Sequence, residues 1–195
     1  MFDLTGQVAI ITGGARGIGE GICDIFCKAG ATVALWDVID EGAATAEKIS
    51  ASGGSIFFQK VNITDKACVD KAIDKIMADH GRVDILINNA GVIRDRSFMK
   101  MSQEEWDTVI NVNLTGMFVA TKAVFPIMKE AGYGRIISAS SINAQAGAYG
   151  QVNYAATKAG VSGFTRALCK EGGRYGITVN AVAPGFIKSL MSDSM

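Results

Sequence analysis

Short apolar runs at residues 8–12, 32–36, 55–59, 85–88, 135–139 and 178–183 alternate with segments of helical periodicity at 18–28, 41–52, 66–79, 103–128 and 152–175. Most of the runs are continuous, with no polar residue at every second position, which suits strands covered on both faces. Strand and helix taking turns in this way imply a parallel sheet with right-handed crossovers, doubly wound with helices on both sides. In such an α/β fold the ligand crevice lies beyond the carboxyl ends of the strands. Asp65 and Ser102 stand where helix N-caps belong, and Gly30 and Gly81 where helices stop.

Composition narrows the function classes. With 195 residues, 49% of them hydrophobic and 19% charged, the chain has the length of one domain, residues 1–195, and is too apolar for disorder. Nineteen basic residues balance nineteen acidic ones, so no net field attracts nucleic acid or a membrane surface. The N-terminus lacks the basic start and long apolar stretch of a secretory signal, which makes the cytoplasm the expected location. Cys23, Cys27, Cys68 and Cys169 form no CxxC pair and read as reduced core thiols, so no metal site is expected. The single histidine, His80, precedes Gly81 at the expected end of a helix, so zinc and Ser-His-Asp chemistry lose their main residue.

Several of the 23 glycines cluster where the first run meets its helix, in Thr12-Gly13-Gly14-Ala15-Arg16-Gly17-Ile18-Gly19. Glycines at 13, 17 and 19 permit a tight turn, backbone approach to a pyrophosphate and close helix–strand packing, while the helix start offers unpaired N–H groups. Asp37, eighteen residues beyond Gly19 at the end of the second run, can accept hydrogen bonds from an adenosine ribose. Dinucleotide binding follows. Further along, Tyr154 and Lys158 are four apart on one helical face, and Ser141 lies just past the fifth run, at its ligand-facing end. An ammonium about 5 Å from the phenol, at an effective dielectric near 20, would lower the tyrosine pKa by about 2.4 from its usual value of about 10.

In combination these motifs resemble the short-chain dehydrogenase/reductase family, a single-domain Rossmann fold, along almost the whole chain. The matching segments are Thr12 to Gly19, Asn88-Asn89-Ala90-Gly91, Asn111-Val112-Asn113-Leu114, Ser141, Tyr154-Ala-Ala-Thr-Lys158, and Asn180 with Pro184-Gly185. Ser189 stands where a threonine is more usual. The resemblance implies that Tyr154 exchanges a proton with the substrate oxygen, that Lys158 binds the nicotinamide ribose and lowers the tyrosine pKa, and that Ser141 holds the substrate oxygen. It implies that Asn113, an amide inside an apolar helix, marks a helix irregularity and a water relay towards Lys158. For the cofactor it implies Gly13, Arg16, Gly17, Ile18 and Gly19 at the glycine loop, Asp37 at the ribose, Asn62 and Asp65 at the adenine, Asn89 along the adenosine side, and Ala90 and Gly91 as further contacts. Ile187 would offer backbone bonds to the carboxamide, with Pro184 and Gly185 as further cofactor contacts.

Asp37 argues for NAD(H), while Arg16 leaves NADP(H) open, since a guanidinium could meet a 2′-phosphate. Asn88 to Asp95, followed by Phe98-Met-Lys-Met and Trp106, looks similar to reductases of 3-oxoacyl thioesters carried on acyl carrier protein or CoA. A sugar-alcohol or other secondary-alcohol dehydrogenase is the alternative. A Rossmann methyltransferase has no use for Ser141, Tyr154 and Lys158 together. Residues such as Val119, Phe125 and Phe164 on the two long helices are candidates for a homotetramer interface.

The family fold continues past the position of Met195 with a further helix and a seventh strand, on the order of 50 residues at ordinary element lengths. Those elements are absent from the chain, which is expected to be an incomplete piece of the fold. A non-catalytic cofactor-binding module is the reading if the truncation is genuine. The loss should expose the sixth strand at Val179, Ala181 and Ala183.

Overall fold

A computed structural model describes residues 2–187. Six parallel strands form one sheet: β1 (Val8–Thr12), β2 (Thr32–Asp37), β3 (Ser55–Lys60), β4 (Ile85–Asn88), β5 (Gly134–Ala139) and β6 (Ile177–Val182). Their order is β3-β2-β1-β4-β5-β6, so the chain reverses direction across the sheet between β1 and β4. That reversal opens the crevice in which doubly wound folds bind ligands. The helices are α1 (Gly17–Lys28), α2 (Glu41–Ala51), α3 (Lys66–His80), α4 (Gln103–Ile110), α5 (Met117–Ala131), α6 (Asn143–Ala146) and α7 (Val152–Gly172).

The continuous apolar runs are explained by the two cores they fill. In β1, Val8 and Ile10 pack on one side with residues of α3 and α5, including Val69, Ile76, Val124 and Met128. Ala9 and Ile11 pack on the other side with Cys23 and Cys27 of α1 and Ile49 of α2. Burial pushes the Cys23 thiol up to about 12 and that of Cys27 to about 11, and all four cysteines are free. Both are inert thiols filling core volume, as the sequence suggested.

Capping follows the sequence closely. Asp65 accepts from the N–H groups of Ala67 and Cys68, and Ser102 and Glu105 form a reciprocal capping box at the start of α4. His80 is the last residue of α3, ahead of Gly81 in the left-handed region, and stacks on Phe57. The stretch Gln103–Ala131 is long and apolar enough to cross a membrane by length and composition. In the fold, its Val109, Met117, Ala120, Val124 and Met128 are buried within the domain.

Among the described residues β6 lies at the edge of the sheet, and Ala181 and Ala183 are exposed as expected, but Val179 is not. Val179 is buried in the core beside Ile177, whereas Thr178, Asn180, Ala181 and Val182 are exposed. The period of two along a strand sends Ile177 and Val179 to the covered face and Thr178 and Asn180 to the other. Only one face of β6 is therefore covered by the described residues.

At the amino ends of the strands, Asp84 is 3% exposed and ties three strands together. Its carboxylate accepts from the Val8 N–H at 2.8 Å and from Arg82 Nε and Nη2, while its own N–H and C=O bond Val8 and Arg135. Asp84→Ala would leave the buried Val8 N–H without an acceptor, and hydrogen bonds to charged groups are worth about 1.5–3 kcal/mol. Urea unfolding should show a loss of about 2–3 kcal/mol for Asp84→Ala and a smaller loss for Asp84→Asn. A loss below about 0.5 kcal/mol for the alanine variant would refute the tie.

Candidate active site

The glycine loop joins β1 to α1 and lies against the segment after β4. A Cβ on Gly13 would come within 2.7 Å of Ala90 Cα, and one on Gly19 within 2.0 Å of the Gly13 carbonyl oxygen. Gly17, at a φ of 61°, faces open space. Arg16 occupies the N-cap position of α1 without a side-chain capping bond, so the first-turn N–H groups point outward uncapped, beside exposed Arg16 and half-exposed Ile18. A dinucleotide's pyrophosphate suits this concavity, since the loop is tight where it packs and open where an anion would approach.

Asp37 closes the loop from the β2 side. Its Oδ2 accepts from the Ala15 N–H at 3.1 Å, and its Oδ1 accepts from the N–H groups of Val38 and Ile39. Asn62 and Asp65 are exposed, and their side chains make local bonds, Asn62 to Thr64 and Asp65 to Ala67 and Cys68. Asn89 Nδ2 donates to the carbonyls of Thr12 and Gly13, and the N–H groups of Asn89 and Ala90 both reach Thr12 Oγ1. Thr12 was not singled out in the sequence, although a hydroxyl ending an apolar strand immediately before the glycine loop is a usable signal.

On the other side of the crevice, Ser141, Tyr154 and Lys158 come together beyond the carboxyl end of β5. Lys158 Nζ donates to the Ala139 carbonyl at 2.7 Å and lies 5.5 Å from the centre of the Tyr154 ring. Gly91 keeps the neighbouring space clear, because a Cβ there would stand 3.3 Å from Asn113 Oδ1 and 3.7 Å from Lys158 Nζ. Between α4 and α5 the helix widens to a π-helix over Asn111–Gly116. Asn113 occupies this irregularity, its amide accepting from the Val92 N–H at 2.7 Å and donating to the Val92 carbonyl at 3.0 Å. Pro184 accepts from the Ile142 N–H, and Gly185 and Ile187 are exposed. Ser189 lies outside the described residues.

The electrostatics correct one expectation. Burial raises the Tyr154 phenol above its ordinary value, Ser141 pulls it down, and Asp95 pushes it further up. The net shift is upward and not the lowering that the Tyr154–Lys158 spacing suggested. The physical reason is burial of the phenol itself, which disfavours phenolate, while the Lys158 ammonium is directed at the Ala139 carbonyl.

The short chain dehydrogenase family matches residues 7–195. The chain belongs to this family. A 3-oxoacyl-[acyl-carrier-protein] reductase FabG of Chlamydia pneumoniae is 42% identical over 190 residues, 97% of this chain and 77% of the relative. FabG of Escherichia coli is 41% identical over 194 residues, 99% of this chain and 78% of the relative. An acetoacetyl-CoA reductase of Rhizobium meliloti is 48% identical over 186 residues, 95% of this chain and 76% of the relative. Membership makes the protein an oxidoreductase of carbonyl and secondary alcohol groups, and it implies a nicotinamide cofactor. The open face at Gly17, the uncapped start of α1 and the clear space at Gly91 beside Lys158 fit such a cofactor.

Burial lowers the Lys158 ammonium to about 8, whereas in the unfolded chain it titrates near about 10.4. Between those values the unfolded state binds more protons, so stability rises with pH across that window. Below it, the cost of burying the charge is present in full. Lys158→Met removes the titration. Urea unfolding of the ligand-free protein near pH 7 and pH 10 should show wild type gaining on the order of 2–3 kcal/mol relative to the variant. Parallel pH profiles for the two proteins would rule out a depressed lysine.

Proposed function

We propose that the protein reduces 3-oxoacyl thioesters to 3-hydroxyacyl thioesters, with Ser141, Tyr154, Lys158 and Asn113 as its working residues. The observation that carries this reading is the convergence of Ser141, Tyr154 and Lys158 opposite the glycine loop, with Gly91 leaving room beside the lysine. A nicotinamide held there would supply the hydride for the carbonyl carbon. Ser141 holds the carbonyl oxygen, and Tyr154 gives that oxygen its phenolic proton. Lys158 binds the nicotinamide ribose through its ammonium. Asn113, whose amide carbonyl borders the space beside Lys158, leads the proton supply towards the lysine through water.

Two features support a thioester with an apolar acyl chain over a sugar alcohol. The relatives named above act, by their names, on 3-oxoacyl and acetoacetyl groups. The segment between Ser141 and Tyr154 also carries exposed Ile142, Tyr149 and Val152, apolar surface unsuited to a polyol. The same reading makes the protein a cytoplasmic homotetramer paired through its long helices. Val119 and Phe125 are already partly buried against the subunit's own core, while Phe118 on the same helix is exposed and adds to the available apolar surface.

Tyr154→Phe tests the chemistry. Acetoacetyl-CoA reduction should fall by about 10² to 10⁴, the usual worth of a positioned acid, with the Kd for NADH unchanged. A variant retaining more than about half of the wild-type rate would remove Tyr154 from the proton donor's role.

For the cofactor we infer NAD(H) over NADP(H). Three backbone N–H groups hold the Asp37 carboxylate beside the glycine loop, so it cannot withdraw from a 2′-phosphate, and like charges about 4 Å apart repel by several kcal/mol at an effective dielectric near 20. Exposed Arg16 is free to turn elsewhere. Steady-state kinetics should give a kcat/KM at least about tenfold higher with NADH than with NADPH, and Asp37→Ser should narrow or reverse the ratio. A wild-type enzyme about tenfold better with NADPH would overturn the assignment.

A further inference from the structure

A chain of side chains runs behind Ser141. Gln151 Nε2 donates to Asp95 Oδ2 at 2.7 Å, and Asn143 Nδ2 donates to Gln151 Oε1 at 2.8 Å. The Asn143 backbone N–H in turn donates to Ser141 Oγ at 3.2 Å. Gln151 is only 4% exposed and Asn143 is half-buried, while Asp95 stands at the surface. The two segments so connected, after β4 and after β5, are also bonded between the Arg96 N–H and the Gly150 carbonyl at 2.8 Å, and between Asn153 Nδ2 and the Arg94 carbonyl at 3.0 Å.

The chemistry of the amide explains why glutamine suits the middle of this chain. A buried side-chain amide must both donate and accept, and Gln151 does so with a carboxylate on one side and an amide N–H on the other. Asp95 accepts only, so it fixes which end of Gln151 faces which partner. Gln151 Oε1 then holds the Asn143 side chain, and through it the first residue of α6. A serine hydroxyl has one proton and two lone pairs. With one lone pair accepting from the Asn143 N–H, the remaining proton and lone pair of Ser141 are turned to the open side of the site, where the Tyr154 phenol and a substrate oxygen would meet them.

We propose that Gln151 is a positioning residue: anchored by Asp95, it holds Asn143 so that the Asn143 backbone N–H orients the Ser141 hydroxyl towards the substrate oxygen. The inference rests on the role proposed for Ser141. It assigns Gln151 no contact with substrate.

The test follows acetoacetyl-CoA reduction with NADH, together with hydrogen exchange at the backbone amide of residue 143. The proteins are wild type, Gln151→Ala, Asn143→Ala, Asp95→Asn, Ser141→Ala and the Gln151→Ala/Ser141→Ala double variant. Gln151→Ala should lower kcat about tenfold, roughly the worth of one oriented hydrogen bond, with the KM for NADH unchanged. It should also speed exchange at residue 143 by about tenfold or more. Asn143→Ala cuts the chain at a half-buried position that tolerates truncation, and should give the same loss of kcat and of amide protection. Asp95→Asn still presents an oxygen to Gln151 Nε2 and should keep the amide protection at residue 143 near wild type. In the double variant, Gln151→Ala should add nothing to Ser141→Ala.

Unchanged kcat in Gln151→Ala and Asn143→Ala beside a crippled Ser141→Ala overturns the positioning role and leaves that of Ser141 standing. A fully active Ser141→Ala overturns both. Unaltered exchange at residue 143 in both chain-cutting variants overturns the proposal whatever the rates. A rise confined to the KM for acetoacetyl-CoA makes Gln151 a substrate ligand and overturns it as well.

Discussion

The clasp between the carboxyl ends of β1 and β4 is the constraint on which the rest of the site depends. Thr12 Oγ1 donates to the Ile87 carbonyl at 3.2 Å and accepts from the N–H groups of Asn89 and Ala90 at 3.0 and 3.1 Å. One hydroxyl thereby uses its proton and both lone pairs. Asn89 completes the clasp from the other side through the carbonyls of Thr12 and Gly13. Because the strand order reverses at this point, the sheet has no crossover helix here to hold the two loops together. The side chains do so instead, and glycine at 13 is the condition for their approach, since any Cβ would strike Ala90.

From this fixed edge the site is built outward in two directions. Towards β2, Asp37 ties the loop down at Ala15, and Thr45 of α2 donates to the Ala15 carbonyl at 2.7 Å, so the loop is pinned through both backbone groups of one residue. Towards β5, the segment after Ala90 passes Gly91 and is held at Val92 by the Asn113 amide. Asn113 Nδ2 also lies 3.4 Å from Thr157 Oγ1 of α7, the helix that carries Tyr154 and Lys158. The widened turn at Asn111–Gly116 fits this demand, because a regular α-helix turns its side chains at a fixed rate and a π-turn offsets it. Bonds between adjacent segments thus link the glycine loop to the lysine helix.

What the sequence made legible was whatever depends on local pattern. Strand ends came within about a residue or two, because apolar runs buried on both faces are bounded by the turn and capping residues beside them. The caps at Asp65 and Ser102 were readable for the same reason, and the irregularity at Asn113 could be suspected from one amide in an apolar helix. The illegible features depend on partners distant in sequence. The tie of Asp84 to Val8 spans 76 residues, and the bond of Gln151 to Asp95 spans 56. Val179 was misjudged because being at an edge and being on a covered face are separate properties of a strand. The sign of the Tyr154 shift failed because spacing along a helix gives a distance between two groups but not how deeply either is buried, and burial is the largest influence on both.

The raised phenol sets the protonation state from which the proposed proton transfer starts. A phenol held above its ordinary value keeps its proton throughout the neutral range, as a donor to a carbonyl oxygen must. Oxidation of an alcohol would instead need phenolate, and burial together with the charge of Asp95 disfavours that state. Lys158, whose ammonium is directed at the Ala139 carbonyl, does not reverse the balance on its own. A bound group carrying negative charge near Lys158 would raise the lysine again and restore its pull on the phenol. Proton donation therefore starts from the resting state of the phenol, whereas proton acceptance starts from a state that burial disfavours.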